Sequence, residues 1–145
     1  MAKFKFKFDS VKKVKEALEK KAQKELALID LHIEQHGQLK LKLLDEINSI
    51  RRSVYNKKIS AAELRFNSQY KSSIHNKIKE NDQEIKTLDK QKNEKVEEVI
   101  QKTIEKKMLI KLEQNHFEEF TAVENKNELK EFDELAVQKF ARTKK

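Results

Sequence analysis

The sequence predicts an all-α fold, a long antiparallel two-helix coiled-coil hairpin with a short helix at the bend. Three observations carry that expectation. In 145 residues there is one glycine, Gly37, and no proline. Glycine costs about 1 kcal/mol and proline about 3 kcal/mol in a helix interior, so the usual stops are missing. Lys, Glu, Leu, Gln and Ala, which lose little side-chain freedom in a helix, are abundant. Apolar residues recur every three or four positions, the spacing that lines one face of a helix. Only 37% of residues are hydrophobic and the mean hydropathy is -0.91. A compact domain carries about 45–50% apolar residues, so a thin seam between two helices is expected rather than a globular core, within a single domain over residues 1–145.

The first helix is expected from about residue 10 to 56. Val11, Val14, Leu18, Ala22, Leu26, Ile29 and Ile33 step by three and four and keep one face apolar, with Asp9 or Ser10 as the N-cap. The stripe continues through Leu41, Leu44, Ile47, Ile50 and Val54, broadened by Leu39 and Leu43, and is lost from Tyr55 to Ile59. Ser60 with Glu63 reads as a capping box, in which each side chain satisfies a free backbone N–H of a new helix. That opens a short helix at the bend, residues 60–71, ended by a weak point at Ser72-Ser73. A long second helix follows over residues 74–142. Its seam candidates are Ile78, Ile85, Leu88, Val96, Val99, Thr103, Ile110, Phe117, Phe120, Leu129, Phe132, Leu135 and Phe140, interrupted by lysines and asparagines. Helices this charged are marginal alone, so each needs the other's apolar face. Glu16–Lys20, Asp82–Lys86 and Glu98–Lys102 stand at the i,i+4 spacing that adds tenths of a kcal/mol on a solvated face.

The formal net charge is +8, and its distribution says more than its sum. Residues 12–24 are rich in lysine, and residues 118–134 hold seven acids (Glu118, Glu119, Glu124, Glu128, Glu131, Asp133 and Glu134) against Lys126 and Lys130. A hairpin folded near its middle sets these opposite charges side by side. Residues 51–79 hold eight basic side chains and one acid, Glu63, and form the basic patch at the bend.

Several function classes find no support. The chain has no cysteine, which removes disulfides and thiolate metal sites and agrees with a reducing cytosol. No apolar run is long enough to span a bilayer, and the alternating lysines of the first eight residues do not read as a signal peptide. There is no glycine-rich phosphate loop and no nucleophile with an identifiable base, so no enzyme and no cofactor are expected. His32 and His36 share a helix face and could hold a metal, with His116 beside them if facing positions add to about 144–148. The plainer expectation is three polar residues flanking the seam, and no metal. Lys3-Phe4-Lys5-Phe6-Lys7-Phe8 alternates as a strand or a short membrane-surface anchor would. The favoured expectation is a lead-in whose phenylalanines tuck against the last helix near Phe132 and Phe140. Phe66, Tyr70, Ile74 and Ile78, spaced by four, form a strip in the basic middle that is either packing at the bend or a docking face.

These landmarks together resemble the FliJ proteins of the bacterial flagellar type III export apparatus. The likeness is carried by Phe4, Phe6 and Phe8 before Val11 and Val14, by Ser60-Ala61-Ala62-Glu63-Leu64 leading into Phe66, Tyr70, Ile74 and Ile78, and by Glu131-Phe132-Asp133-Glu134-Leu135-Ala136 followed by Phe140-Ala141-Arg142. The resemblance covers essentially the whole chain. It implies an antiparallel hairpin similar to the central stalk subunit of rotary ATPases. It also implies binding to the export ATPase FliI and the export gate FlhA, and the escort of export chaperones. By that likeness Val11, Val14, Leu18, Leu129, Phe132 and Leu135 meet the ATPase ring at the paired termini, and Phe66, Tyr70 and Ile74 meet the gate. The implied place is cytoplasmic, peripheral at the inner-membrane export apparatus, serving flagellum biogenesis and motility. A monomer is the favoured state, although the same seam serves a hairpin swapped between two chains. Two other readings stay open. One is a basic coiled coil that binds nucleic acid through Arg51, Arg52, Lys57, Lys58, Arg65, Lys71, Lys77 and Lys79. The other is a stalk or chaperone of a virulence-type secretion system.

Overall fold

The computed structural model describes residues 2–56 and 58–144, the side chain of Asn56 excepted. It holds two long helices packed against each other, α1 (Asp9–Asn56) and α2 (Ala61–Thr143), and no strand among the described residues. The alternating lead-in therefore makes no sheet. The Phe8 carbonyl takes the first bond of α1 from the Lys12 N–H at 2.9 Å, which puts Asp9 inside the first turn rather than at the cap. There its carboxylate meets Lys13 at 3.2 Å and favours the positive end of the helix dipole. At the start of α2, Ser60 accepts twice as expected of an N-cap: its carbonyl from Leu64 N–H at 3.0 Å and its hydroxyl from Glu63 N–H at 3.2 Å.

The short helix at the bend is not separate. α2 runs without a break through Ser72-Ser73, so the turn lies before residue 61 and not near 73. Two serines cost only tenths of a kcal/mol each in helix propensity. Ile74, the most buried side chain at 1% exposure, sits immediately after them, so packing holds the backbone helical through the pair. The consequence is unequal helices, 48 residues in α1 and 83 in α2.

Contacts group the chain into two compact units, one of residues 20–100 and one drawn from residues 1–19 with 101–145. In the first unit α1 and α2 are antiparallel: Glu25 pairs with Lys95 at 2.6 Å, Asp30 with Lys92 at 2.7 Å and Lys40 with Asp82 at 2.8 Å. Further along, the Tyr70 hydroxyl donates to Glu46 at 3.3 Å. The core is Leu43, Ile47 and Ile74, flanked by Ile50 and Ile78, and Ala22 is buried as well. Fully burying such a side chain contributes about 1.5–3 kcal/mol, so this small cluster anchors the unit.

In the second unit the pairs are Lys12 with Glu113 at 2.5 Å, Lys15 with Glu105 at 2.9 Å and Glu19 with Lys106 at 2.8 Å. The lead-in does pack on α2, but on other partners than expected. The Phe4 ring lies 5.3 Å from Phe117 and 5.6 Å from Phe120, and the buried Phe6 ring lies 5.8 Å from His116. Phe132 and Phe140 are both exposed.

The inward positions of each helix alternate three and four apart. On α1 they are Lys12, Lys15, Glu19, Ala22, Leu26, Ile29, Ile33, His36, Lys40, Leu43, Ile47, Ile50 and Val54. On α2 they run from Asn67, Lys71 and Ile74 through Lys92, Lys95, Val99, Lys102 and Lys106 to Glu113, His116 and Phe120. This is the seven-residue repeat of a coiled coil, held even where the residue is charged. Val11, Val14 and Leu18 consequently fall beside the seam and stay exposed, as do Leu39, Leu41 and Leu44. On α2, Ile110 and Phe117 are also exposed, whereas Ile78, Ile85, Leu88, Val96, Val99, Thr103 and Phe120 are half-buried as expected. The expected i,i+4 pairs give way too, since Asp82 takes Lys40 across the seam and Glu98 takes Lys95.

Candidate partner-binding surfaces

Three surfaces follow from this geometry. On the α1 side of the second unit, Val11, Val14 and Leu18 present aliphatic side chains to solvent. They are held there because Lys12, Lys15 and Glu19 take the inward positions and find counter-charges on α2. Each of these pairs is at least partly desolvated, and charge-assisted bonds of this length are the stronger kind. The Lys12 ammonium is pushed above its ordinary 10.5 by its hydrogen bond to Glu113, and the Glu105 carboxyl is held below its ordinary 4.5 by its hydrogen bond from Lys15.

The second surface is α2 beyond residue 124. From residue 125 to 144 every described side chain is exposed, including Leu129, Phe132, Leu135 and Phe140. The pairing explains why. Because the turn comes before residue 61, Glu19 meets Lys106, whereas the expected hairpin sets it beside residues near 126. The acids of residues 118–134 are therefore not the counter-charges of the α1 lysines, which Glu105 and Glu113 supply. Leu129, Phe132, Ala136 and Phe140 follow one another by three and four residues along one face, flanked by Glu128 and Glu131.

The third surface lies in the first unit where α1 ends and α2 begins. Ile50, Arg51, Val54, Tyr55, Leu64, Asn67, Ser68 and Lys71 line a groove of about 420 Å³. Beside it the Phe66 and Tyr70 rings stack with their planes parallel and centroids 6.3 Å apart, both exposed to solvent. Ile74, placed with them in the sequence strip, is instead buried in the core beneath. Arg51, Arg52, Lys58, Arg65, Lys77 and Lys79 are exposed, Lys71 is half-buried in the groove wall, and Lys57 lies outside the described residues.

Within the first unit the ion pairs are equally polarised. Lys95, bonded to Glu25 and Glu98, and Lys92, bonded to Asp30, both have raised values; Glu25 is lowered by Lys95. The histidines do not gather. His32 is exposed, His36 pairs with Asn81 and His116 sits against Phe6. Among the described residues no group of three His, Cys, Asp or Glu side chains could hold a metal ion, and no helix is long and apolar enough to cross a membrane.

Sequence reasoning missed the charged seam and the groove. The signal for the first was present: Lys12, Glu19, Leu26, Ile33, Lys40 and Ile47 recur every seventh residue, but apolar neighbours one position away drew the stripe off phase. For the groove, Ile50 and Val54 do hold seam positions, but spacing does not say that they also line an open gap shared with Leu64, Asn67 and Lys71.

The comparisons agree with the landmarks. No curated protein and no solved structure matches the chain. The family model described as flagellar FliJ protein matches residues 4–145. A match over essentially the entire length, on a helical hairpin that carries the phenylalanine lead-in and the Ser60 cap, identifies the chain as a member of the flagellar FliJ family, a protein of flagellar export.

Proposed function

We propose that this protein is a non-enzymatic stalk and escort of the flagellar type III export apparatus, cytoplasmic and peripheral at the inner membrane, that connects the export ATPase FliI with the export gate FlhA and handles export chaperones. The observation that carries the reading is the coexistence of apolar side chains left in solvent at separate surfaces of a chain of this family. An ATPase contact draws on Val11, Val14 and Leu18 together with Leu129, Phe132 and Leu135, all exposed. A gate contact draws on Phe66 and Tyr70, with buried Ile74 as their support. Large apolar and aromatic side chains held in water are the usual anchors of an interface.

A two-helix connector transmits a state only if its contacts with each partner differ between states. Paired capture experiments test this with the full chain. Phe132→Ala with Leu135→Ala should reduce recovery of the ATPase at least tenfold and leave the gate unaffected. Phe66→Ala with Tyr70→Ala should do the reverse. Helical circular dichroism equal to that of the parent chain confirms that the hairpin persists. Undiminished recovery of both partners by both variants refutes the reading.

A further inference from the structure

We infer that two copies of this chain pair through their α2 segments beyond residue 124, laid antiparallel, as a closed symmetric dimer. Asn125, Leu129, Phe132, Ala136, Phe140 and Thr143 step by four, three, four, four and three, which keeps them on one face of the helix. All are exposed, Leu129 and Phe140 at 64% and Phe132 at 67%, and no element among the described residues covers them. Glu128, Glu131, Leu135, Lys139 and Arg142 step by three, four, four and three along one edge of that face. The edge reads two acids, a leucine and two bases. Turned end for end, it is its own complement.

That order selects both the occupant and its direction. Antiparallel pairing centred on Leu135 sets Glu128 beside Arg142 of the second copy and Glu131 beside its Lys139, and the twofold axis repeats both pairs. The same alignment brings Leu129 near Phe140 and Phe132 near Ala136, so larger side chains meet smaller ones. A hollow of about 290 Å³ between Asn125, Glu128, Leu129 and Phe132 has the spacing that receives a side chain from a facing helix, and Phe140 of the second copy arrives there. Parallel pairing instead sets Glu128 and Glu131 against their own copies, and Lys139 and Arg142 against theirs, which is repulsive. On the other edge Asp133 faces Val137, and Lys126 comes near Lys144, one like-charged approach against the two opposite ones; Lys130 and Glu134 lie toward the far side of the helix. A contact of this symmetry uses the same surface on both copies, so association stops at two chains. Exposed ion pairs add little strength, so they set direction while the apolar stripe supplies affinity, and the short seam comes apart on dilution. The inference does not depend on the export reading. Where both hold, the second copy and the ATPase compete for Leu129, Phe132 and Leu135.

Sedimentation equilibrium of the full chain over a range of concentrations tests the inference. The weight-average mass should rise from one chain toward two and stop there. Glu128→Lys with Glu131→Lys, and separately Lys139→Glu with Arg142→Glu, should each weaken pairing at least tenfold, because each leaves the edge with charges of one sign. An equimolar mixture of the two variants should restore it, since each then offers the other an oppositely charged edge. Spin labels read the direction: in the parent dimer a label at position 134 should lie nearer its copy than a label at position 127 or 141, whereas a parallel pair gives equal separations. A mass fixed at one chain at every concentration overturns the inference. So does growth beyond two chains, undiminished pairing in either variant alone, or equal separations at the three labels. A mixture that stays monomeric while both variants retain the parent's helical circular dichroism overturns it as well.

Discussion

Asn81 holds His36 at two points: its side-chain nitrogen donates to the His36 backbone carbonyl at 2.8 Å, and its oxygen lies 2.6 Å from Nδ1 of the ring. Asn81 is 5% exposed and stands at an inward position of the repeat, so a polar pair occupies a layer between Ile33 and Lys40 on α1. Polar groups at such positions fix alignment at a cost in stability, because a shifted pairing leaves them buried and unbonded. His36→Leu combined with Asn81→Leu should raise stability by about 1–2 kcal/mol in guanidinium titrations. Spin labels at positions 28 and 90 should then show a broader distance distribution than in the parent protein.

Ile74 and its aromatic neighbours separate packing from recognition. Ile74→Ala removes the most buried side chain among the described residues and should cost about 2–4 kcal/mol. Phe66→Ala, at a side chain 67% exposed, should change stability by no more than about 0.5 kcal/mol. Thermal melts of the two variants provide the comparison.

Glu19 is 6% exposed and bonded to Lys106, with oxygen–nitrogen distances of 3.0 and 2.8 Å. Lys106→Leu leaves a carboxylate inside the seam and should cost about 2 kcal/mol. Adding Glu19→Leu should return most of that loss, since the layer becomes apolar on both sides. A double-mutant cycle by chemical denaturation reads the coupling.

Stability should hold a plateau across neutral pH and fall on both sides. Glu25 and Glu105 have folded values below their ordinary 4.5, so their contribution is complete above that value and is lost as pH falls through the depressed folded values. Lys12, Lys92 and Lys95 are raised above 10.5, so theirs is complete below that value and lost as pH rises through the raised ones. Melting temperature against pH should show both limbs. Glu105→Gln should flatten the acid limb while leaving the alkaline one.

Gly37 lies within α1 in ordinary helical backbone, and a Cβ built there meets nothing within 4 Å. Gly37→Ala should therefore stabilise the protein by about 0.5–1 kcal/mol, read as a higher denaturant midpoint with an unchanged slope. A loss of stability would show that the site has a conformational requirement that the helix geometry does not reveal.

Much of the fold was legible because it is local. The end of α1 at Asn56 and the Ser60 cap follow from propensity and from one hydroxyl within reach of one N–H. The apolar face from Ala22 to Ile33 and at Ile47 and Ile50 follows from spacing alone. The surfaces were legible only in part. Phe66 and Tyr70 lie in solvent, where a docking strip has to be, but Ile74 of the same strip is core. Spacing by four puts three residues on a slowly turning path, and it does not say where that path meets the other helix.

What the chain determined by itself is its helical character, the end of α1 at Asn56, the Ser60 cap that opens α2 and the family landmarks these helices carry; that α2 runs on through Ser72-Ser73 it did not. The tertiary structure decided the alignment of one helix on the other, and with it which lysines face inward and which phenylalanines are left bare. Adjacent residues such as Val11 and Lys12 differ by only about 100° around a helix, so a local pattern leaves the phase ambiguous by one position. The phase is settled by what stands opposite, Glu113 for Lys12 and Lys106 for Glu19, and the sum of such contacts exists only once the two helices have met.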